Sequence, residues 1–458
     1  MLPVRVADVS PLRLFSTSCP GTAMVEVGLP QIMATRSNVL TLSAPERAKL
    51  VNGLLAMKQS GAYNKYIRDH ALATRWTSPT GTQLNMAHMG PAFPPWHRKF
   101  LLDFERDLQA AIGSTAFGLP YYDWTDGLGA SSLVWGADLM GGQGNPVSTG
   151  SFVPAAWQTI DANNQPTSGL IRQFGAAPDV GNLPARADVH RAFYRAVYDA
   201  SPWNDSSSSF RNTLEGFFPF GLHNLVHVWI GGQRGQMSSV PVASNDPVFF
   251  LHHCNVDRIW AQWQMTYPTA GYLPTSGAGY GHNLNDPMYP WNTGPNVVHP
   301  ADMLSISNLG YSYDAYYNIG TLQLIITTGS STFSGTDDEV RFVISSLTWP
   351  GPFWSVTLDA AHCNHSNPFE RGQTDTFTYP NVNNMHGSPP LTPALLGEFS
   401  LGKAPDNSWF GAGDWTVAGI QIIADGLVLY NNQSLNQELN NNHQHLDDGN
   451  GNKLISNP

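Results

Sequence analysis

Histidine is the residue type in this chain whose placement could do chemistry. His223 and His227 stand four apart in Leu222-His223-Asn224-Leu225-Val226-His227-Val228-Trp229. On a helix both imidazoles leave one face and could meet one metal ion. Further along, the apolar approach Pro247-Val248-Phe249-Phe250-Leu251 ends abruptly in His252 and His253. A core packed by phenylalanines has no routine use for adjacent imidazoles. Upstream, His70, His88 and His97 form a second set, with His97 following Phe93-Pro94-Pro95-Trp96 at the start of a helix. Two three-imidazole sets without an interposed carboxylate suit a pair of copper ions better than iron or manganese, with zinc chemically open.

Composition narrows the alternatives. The three cysteines, Cys19, Cys254 and Cys363, form no Cys-x-x-Cys pair, so thiolate-clustered zinc and iron–sulfur sites are disfavoured and histidine must hold any metal. The Glu-x-x-His pairs of carboxylate-bridged bundles are missing. A net charge of -11 leaves no basic surface for nucleic acid or an anionic membrane, and a small, weakly polar molecule fits better. Charged residues make up 12% and aromatics 11%, a composition that builds a large core rather than a disordered chain. No stretch reaches the roughly 18 to 20 apolar residues of a membrane span. Arg5, Asp8 and Arg13 interrupt the start, so no Sec-type signal is read there, and the expected location is cytoplasmic or exported with a helper protein. Oligomeric state is not legible.

The elements that must position these histidines follow from periodicity and caps. Residues 1 to about 33 read as an extension wrapped over the surface. Ser43 and Glu46 make a capping-box signal, and Leu50, Val51, Leu54 and Leu55 keep helical spacing after it. Further helices are expected from Pro95 to Ala111, near Leu214 to Ile230, and after Asn255. The expectation is a mainly α domain over 34–317, a four-helix bundle core with long loops, its centre holding the site. Short β-like runs follow at Leu322 to Thr328, Val340 to Ser346, Phe353 to Asp359, Asp375 to Tyr379 and Ile420 to Tyr430. They predict a C-terminal antiparallel β-sandwich over 318–430, and the Asn-rich tail, 431–458, is expected to fray. His362, His365, His443 and His445 read as solvated or core residues rather than a third metal site.

The chain resembles the tyrosinase and polyphenol oxidase family of type-3 copper proteins. The resemblance rests on Phe93-Pro94-Pro95-Trp96-His97-Arg98, on His223-Asn224-x-x-His227, and on Asp246-Pro247-x-Phe249-Phe250-x-x-His253-x-x-x-Asp257. It covers roughly residues 36 to 313, closing on Tyr311-x-Tyr313. It implies a dinuclear centre of two copper ions, one on His70, His88 and His97 and the other on His223, His227 and His253. His252 then becomes a supporting residue and Asp257 an orienter behind the ligands.

The resemblance further implies dioxygen as co-substrate and small phenols such as tyrosine, DOPA and catechols as substrates. Glu215 and Asn224 fill the places where the family orients a water, which favours ortho-hydroxylation of monophenols in addition to oxidation of o-diphenols to quinones. Val228, Val240 and Phe249 are expected at the pocket wall. Relatives that cross-link a cysteine to the second ligand of the first copper have it where this chain has Met86, so His88 is expected to be held by packing alone. The β-sandwich resembles domains that shield the pocket of proenzymes, giving the expectation of a latent enzyme and a lid. Catechol oxidase, o-aminophenol oxidase and a haemocyanin-like oxygen carrier are the alternatives. A copper chaperone is a conceivable partner to which no residue points.

Overall fold

A computed structural model describes residues 34–78, 81–217, 221–345, 353–380, 382, 391, 397–404, 414–440, 442–449 and 451–454. The extension expected over residues 1 to 33 lies outside them. The Ser43 backbone N–H donates to Glu46 at 2.8 Å, and α1 runs Ala44–Ser60 with Pro45 in its first turn. Gly61, at φ +83°, turns the chain directly into α2, Ala62–Ala73. The sequence reading places no helix there. The signal was present, since Tyr63, Tyr66, Ile67 and His70 keep helical spacing and are all buried, but the one-residue link after α1 obscures it.

The remaining helices are α3 (Phe93–Ile112), α4 (Arg186–Phe193), α5 (Phe210–Glu215), α6 (Leu222–Gly231) and α7 (Val248–Thr266). The helix expected from Leu214 to Ile230 is therefore two helices. Gly216, at φ +107°, ends α5, and a Cβ on Gly221 would come within 2.3 Å of the Thr213 carbonyl oxygen. The break leaves carbonyls at the end of α5 without helical partners. Helix α7 begins earlier than expected. It is buried all round from Val248 to Trp263, so no amphipathic stripe marks its start. The helices that carry the clustered histidines are α2, α3, α6 and α7; α1, expected among the four, instead packs on α3.

Two small sheets brace this core. The ribbon β2 (Trp76–Thr77) and β3 (Gln83–Leu84) leads into the loop carrying His88. Strand β1 (Ala34–Arg36) pairs in parallel with β4 (Tyr311–Tyr313). Behind that pairing, buried Asp257 on α7 accepts from Arg98 Nε at 2.5 Å, Arg36 Nη1 at 3.2 Å, and the hydroxyls of Tyr311 and Tyr313 at 2.7 and 2.5 Å. Burial works to raise the Asp257 carboxyl, but the two guanidiniums and the two phenols outweigh it and hold it below its ordinary value. Asp257 thus locks α3, α7 and both strands together through these four partners.

The C-terminal strands are β5 (Thr321–Thr328), β6 (Val340–Ser345), β7 (Phe353–Leu358), β8 (Thr374–Pro380), β9 (Glu398–Lys403), β10 (Trp415–Ala424), β11 (Leu427–Asn432) and β12 (Gln437–Leu439). All pair antiparallel. One sheet runs β11-β10-β5-β8 with β12 also on β10, and the other β7-β6-β9. Alternate residues of β5 are buried, and both sheets feed one hydrophobic core distinct from that of the helices. The single run expected from Ile420 to Tyr430 is a hairpin turning at Asp425-Gly426, where both residues have positive φ. The tail expected to fray is packed instead. The Leu446 N–H donates to the Leu401 carbonyl, the Phe399 N–H to Asn452 and the Leu454 N–H to Gly397, and Leu401, Leu446 and Leu454 are all buried. Asparagine supplies the turns here; the leucines between them supply the core. Helix α4 joins the two regions, with Arg186 donating to the Asn318 carbonyl and Tyr194 entering the β core. No helix among the described residues is long and apolar enough to cross a membrane.

Replacing Asp257 by Ala leaves Arg98 and Arg36 buried without this carboxylate. The expected loss is about 3–5 kcal/mol of stability, measured by denaturant unfolding; a change under about 1 kcal/mol would contradict the locking role.

Candidate metal centre

Seven imidazoles meet where α2, α3, α6, α7 and the loop before α3 converge. His70, His88 and His97 form one buried group, and His223, His227, His252 and His253 another, each with ligand-type nitrogens within 4.8 Å of one another. The groups adjoin. The rings of His97 and His253 stack at 4.2 Å, and those of His88 and His223 lie 6.2 Å apart.

Backbone carbonyls set the direction of several rings. His97 Nδ1 donates to the Phe93 carbonyl at 2.9 Å, one turn back on α3. His227 Nδ1 donates to Met237 at 2.8 Å. His223 Nδ1 is shared between the Glu215 carbonyl at 3.2 Å and Asn224 Oδ1 at 2.9 Å. The carbonyl of Glu215 is free for this because α5 ends there. A carbonyl can only accept, so each of these rings carries its proton on Nδ1 and turns a lone pair on Nε2 inward. The Nε2 atoms of His223 and His227 lie 3.3 and 3.2 Å from Nε2 of His253. Three inward nitrogens at that spacing are a cation's ligand set rather than a hydrogen-bond network.

The first group has the same character. Both ring nitrogens of His70, Nδ1 of His88 and Nε2 of His97 are buried without a hydrogen-bond partner. Buried polar atoms left in this state cost stability unless something binds them, and neutral imidazole is the form that ligates copper. Burial drives every one of these rings toward neutrality, His70 down to about 3 and His227 to about 4. His88, His97, His223 and His253 are lowered further by burial and by neighbouring imidazoles.

The residues expected around the ligands take distinct places. His252 accepts the Trp124 indole N–H at 3.1 Å and stacks on His223, so it supports the second group from behind. Phe249 packs on His253 at 4.1 Å and His70 at 5.0 Å, bracing both groups, but it is not part of the cavity wall. Val228 and Val240 are on that wall, Val240 half exposed at the rim. The cavity is about 770 Å³ and is otherwise lined by residues such as Met89, Phe217 and Asn224 beside His70, His88, His223 and His227.

His88 is not held by packing alone. Asn85 Oδ1 accepts the N–H groups of Ala87 and His88 at 3.2 and 3.0 Å. Buried His282 bonds the Asn85 carbonyl at 2.8 Å through Nε2 and accepts the Ala92 N–H through Nδ1 at 3.2 Å. Met89, in a left-handed conformation at φ +61°, donates its N–H to Glu215 at 2.6 Å. The other oxygen of Glu215 accepts from Arg211 at 2.9 Å, and Arg211 is gripped in turn by Asp199. Burial pushes the Glu215 carboxyl up to about 7 against the opposing pull of Arg211 and the Met89 N–H. Asn85, Arg211 and His282 were missed in the sequence reading; only Asn85, as an Asx-type residue just before a ligand loop, carried a local signal.

Without metal, the folded chain binds fewer protons below the ordinary histidine pKa of about 6.5 than the unfolded chain does, because its buried imidazoles resist charging. Stability of the metal-free protein is therefore expected to fall as pH drops from about 6.5 toward 3, seen as a declining Tm. A flat Tm over that range would contradict the neutral, buried state of these rings.

Comparison with known proteins agrees with this geometry. Residues 60–266 match the family model for the common central domain of tyrosinase. Tyrosinase of Streptomyces glaucescens is 40% identical over 288 residues, 62% of this chain and 99% of that protein. Grixazone synthase of Streptomyces griseus is 36% identical over 317 residues, 61% of this chain and 98% of that protein. A functional unit of octopus hemocyanin overlays with a TM-score of 0.45 at 18% identity, across 87% of this chain and 97% of that one. The two histidine groups are compatible with the dinuclear copper site that such relatives imply, and the chain belongs to the tyrosinase family.

Proposed function

We propose that the chain hydroxylates monophenols at the ortho position and oxidises o-diphenols to o-quinones, using dioxygen. The observation that carries this reading is the pair of adjoining three-imidazole groups beneath one cavity. His70, His88 and His97 hold one copper and His223, His227 and His253 the other. Bound there, the pair supplies two-electron chemistry with dioxygen that neither ion performs alone. The substrate ring enters between Val228 and Val240, with phenols such as tyrosine, DOPA or a catechol as the fitting class.

A monophenol, with a pKa of about 10, must lose its proton before it can ligate a metal. Glu215 and Asn224 are the residues for that step. They share His223 Nδ1, through the Glu215 carbonyl and the Asn224 amide oxygen, so they stand at the same end of α6. A buried carboxyl pushed up to about 7 is matched to a base working near neutrality. Because its oxygens already engage Met89 and Arg211, Glu215 takes the proton through a water placed beside Asn224 rather than by direct contact. An oxidase restricted to o-diphenols or o-aminophenols lacks this requirement and is the second reading, favoured to the extent that Glu215 stays bound to Arg211.

Oxygen uptake and absorbance with the copper-loaded protein test the reading. Tyrosine is expected to give a quinone after a lag, and DOPA without one. Reaction with the diphenol alone would leave a catechol oxidase, and reversible oxygen binding with neither substrate consumed would leave a carrier. Glu215→Gln should cut tyrosine hydroxylation by about 100-fold and DOPA oxidation much less; equal losses would show that Glu215 only fixes the His88 loop. Latency is not part of the proposal. The described side chains on the cavity wall all fall between His70 and Ala243, so limited proteolysis of the β region is expected to leave turnover unchanged. A rise would establish a lid.

A further inference from the structure

A third group of metal-type ligands lies in the β region, away from every residue assigned above. Cys363 and His365 sit on the connection between β7 and β8, and Asp375 lies on β8 itself. Asp375 Oδ1 is 3.0 Å from His365 Nδ1 and 3.6 Å from Cys363 Sγ, and the His365 backbone N–H donates to that sulfur at 3.4 Å. All three donor atoms lie within 4.8 Å of one another. A tetrahedral ion with bonds of about 2.0–2.3 Å spreads its ligand atoms about 3.3–3.8 Å apart, close to the spacing already present.

The group is held in place before any ion arrives. Asp375 is fully buried; its Oδ2 accepts the Phe369 N–H at 2.7 Å and its Oδ1 also accepts Gln373 Nε2 at 2.6 Å. The Cys363 loop is laced to β8, with the Asn364 N–H donating to Thr376 at 3.0 Å and the Thr378 N–H to His362 at 2.8 Å. His365 is 43% exposed, which leaves the side opposite Asp375 open for entry and for a water as fourth ligand. Loop organisation accounts for the carboxylate, but it does not call for a thiol turned toward the same oxygen and receiving an N–H bond that favours thiolate.

We propose that Cys363, His365 and Asp375 bind a divalent borderline cation of the zinc type, with thiolate, imidazole, carboxylate and one solvent ligand. Binding releases one proton, from the Cys363 thiol. Burial and the nearby carboxylate raise the Cys363 thiol, so that proton is present to be released near neutrality. The expectation that His365 is merely a solvated residue is replaced by this reading.

Cobalt(II) added to the full, copper-loaded chain is the test, because cobalt reports its ligands by colour and the histidine groups contain no sulfur. One equivalent is expected to bind with a thiolate-to-cobalt charge-transfer band and tetrahedral visible bands, releasing one proton. Zinc(II) should displace it and raise the Tm of the β region. Cys363→Ser should abolish the charge-transfer band while phenol oxidation continues, and Gln373→Ala should weaken cobalt binding about 10-fold. The proposal is overturned if no thiolate band forms in excess cobalt, or if the band survives in Cys363→Ser. Both outcomes are independent of whether the chain oxidises phenols.

Discussion

Three imidazole nitrogens facing one another at 3.2–3.3 Å inside an apolar helix core set the conditions for the rest of this structure. Protonating the rings would bury like charges, and leaving them neutral aims lone pairs at one another. A cation resolves both problems, and the surrounding chain is arranged so that the rings cannot turn away from it. Phe249 fills the space between the two groups, touching His70 on one side and His253 on the other. The Phe93, Met237 and Glu215 carbonyls each take an Nδ1 proton and so commit the opposite nitrogen to the centre.

Two of those carbonyls, Met237 and Glu215, come from places where regular structure stops or turns. Glu215 can orient His223 only because α5 ends at it, and α5 ends there because Gly216 adopts a left-handed backbone and Gly221 crosses too close for a side chain. The same residue reaches across to the other group, since its carboxylate holds the Met89 N–H beside His88. Glu215 therefore couples both halves of the centre through two different functional groups, and Arg211 and Asp199 fix its position from behind. His88, the one ligand on a loop, has the densest set of polar supports: Asn85 and His282 as well as Glu215. A loop ligand lacks the helix hydrogen bonds that steady the others, and these contacts replace them.

The β region has its own hydrophobic core and its own polar cluster, and α4 reaches it through Arg186 and Tyr194. Its Asn-rich end shows how composition misleads. Asparagine-bearing turns bring Leu439, Leu446 and Leu454 onto the sheets at intervals too wide to form a periodic signal, and burial follows from pairing with distant strands.

Spacing and local chemistry in the sequence were enough to determine which histidines matter, the helical pair His223 and His227, the capping box at Ser43, most of the strands and the family resemblance. These depend on contacts within a few residues or on apolar periodicity, and so they are written locally. Tertiary structure alone decided what holds the neighbour of the ligand, because Trp124 from a distant segment donates to His252 Nδ1 while His253 Nε2 lies 3.3 and 3.2 Å from Nε2 of His223 and His227. It also decided that Asp257 clamps strands and helices, that Arg211 and His282 support the site, and that Cys363, His365 and Asp375 meet. Each of these rests on a hydrogen bond or close approach between residues far apart in the chain, a quantity that no local pattern encodes.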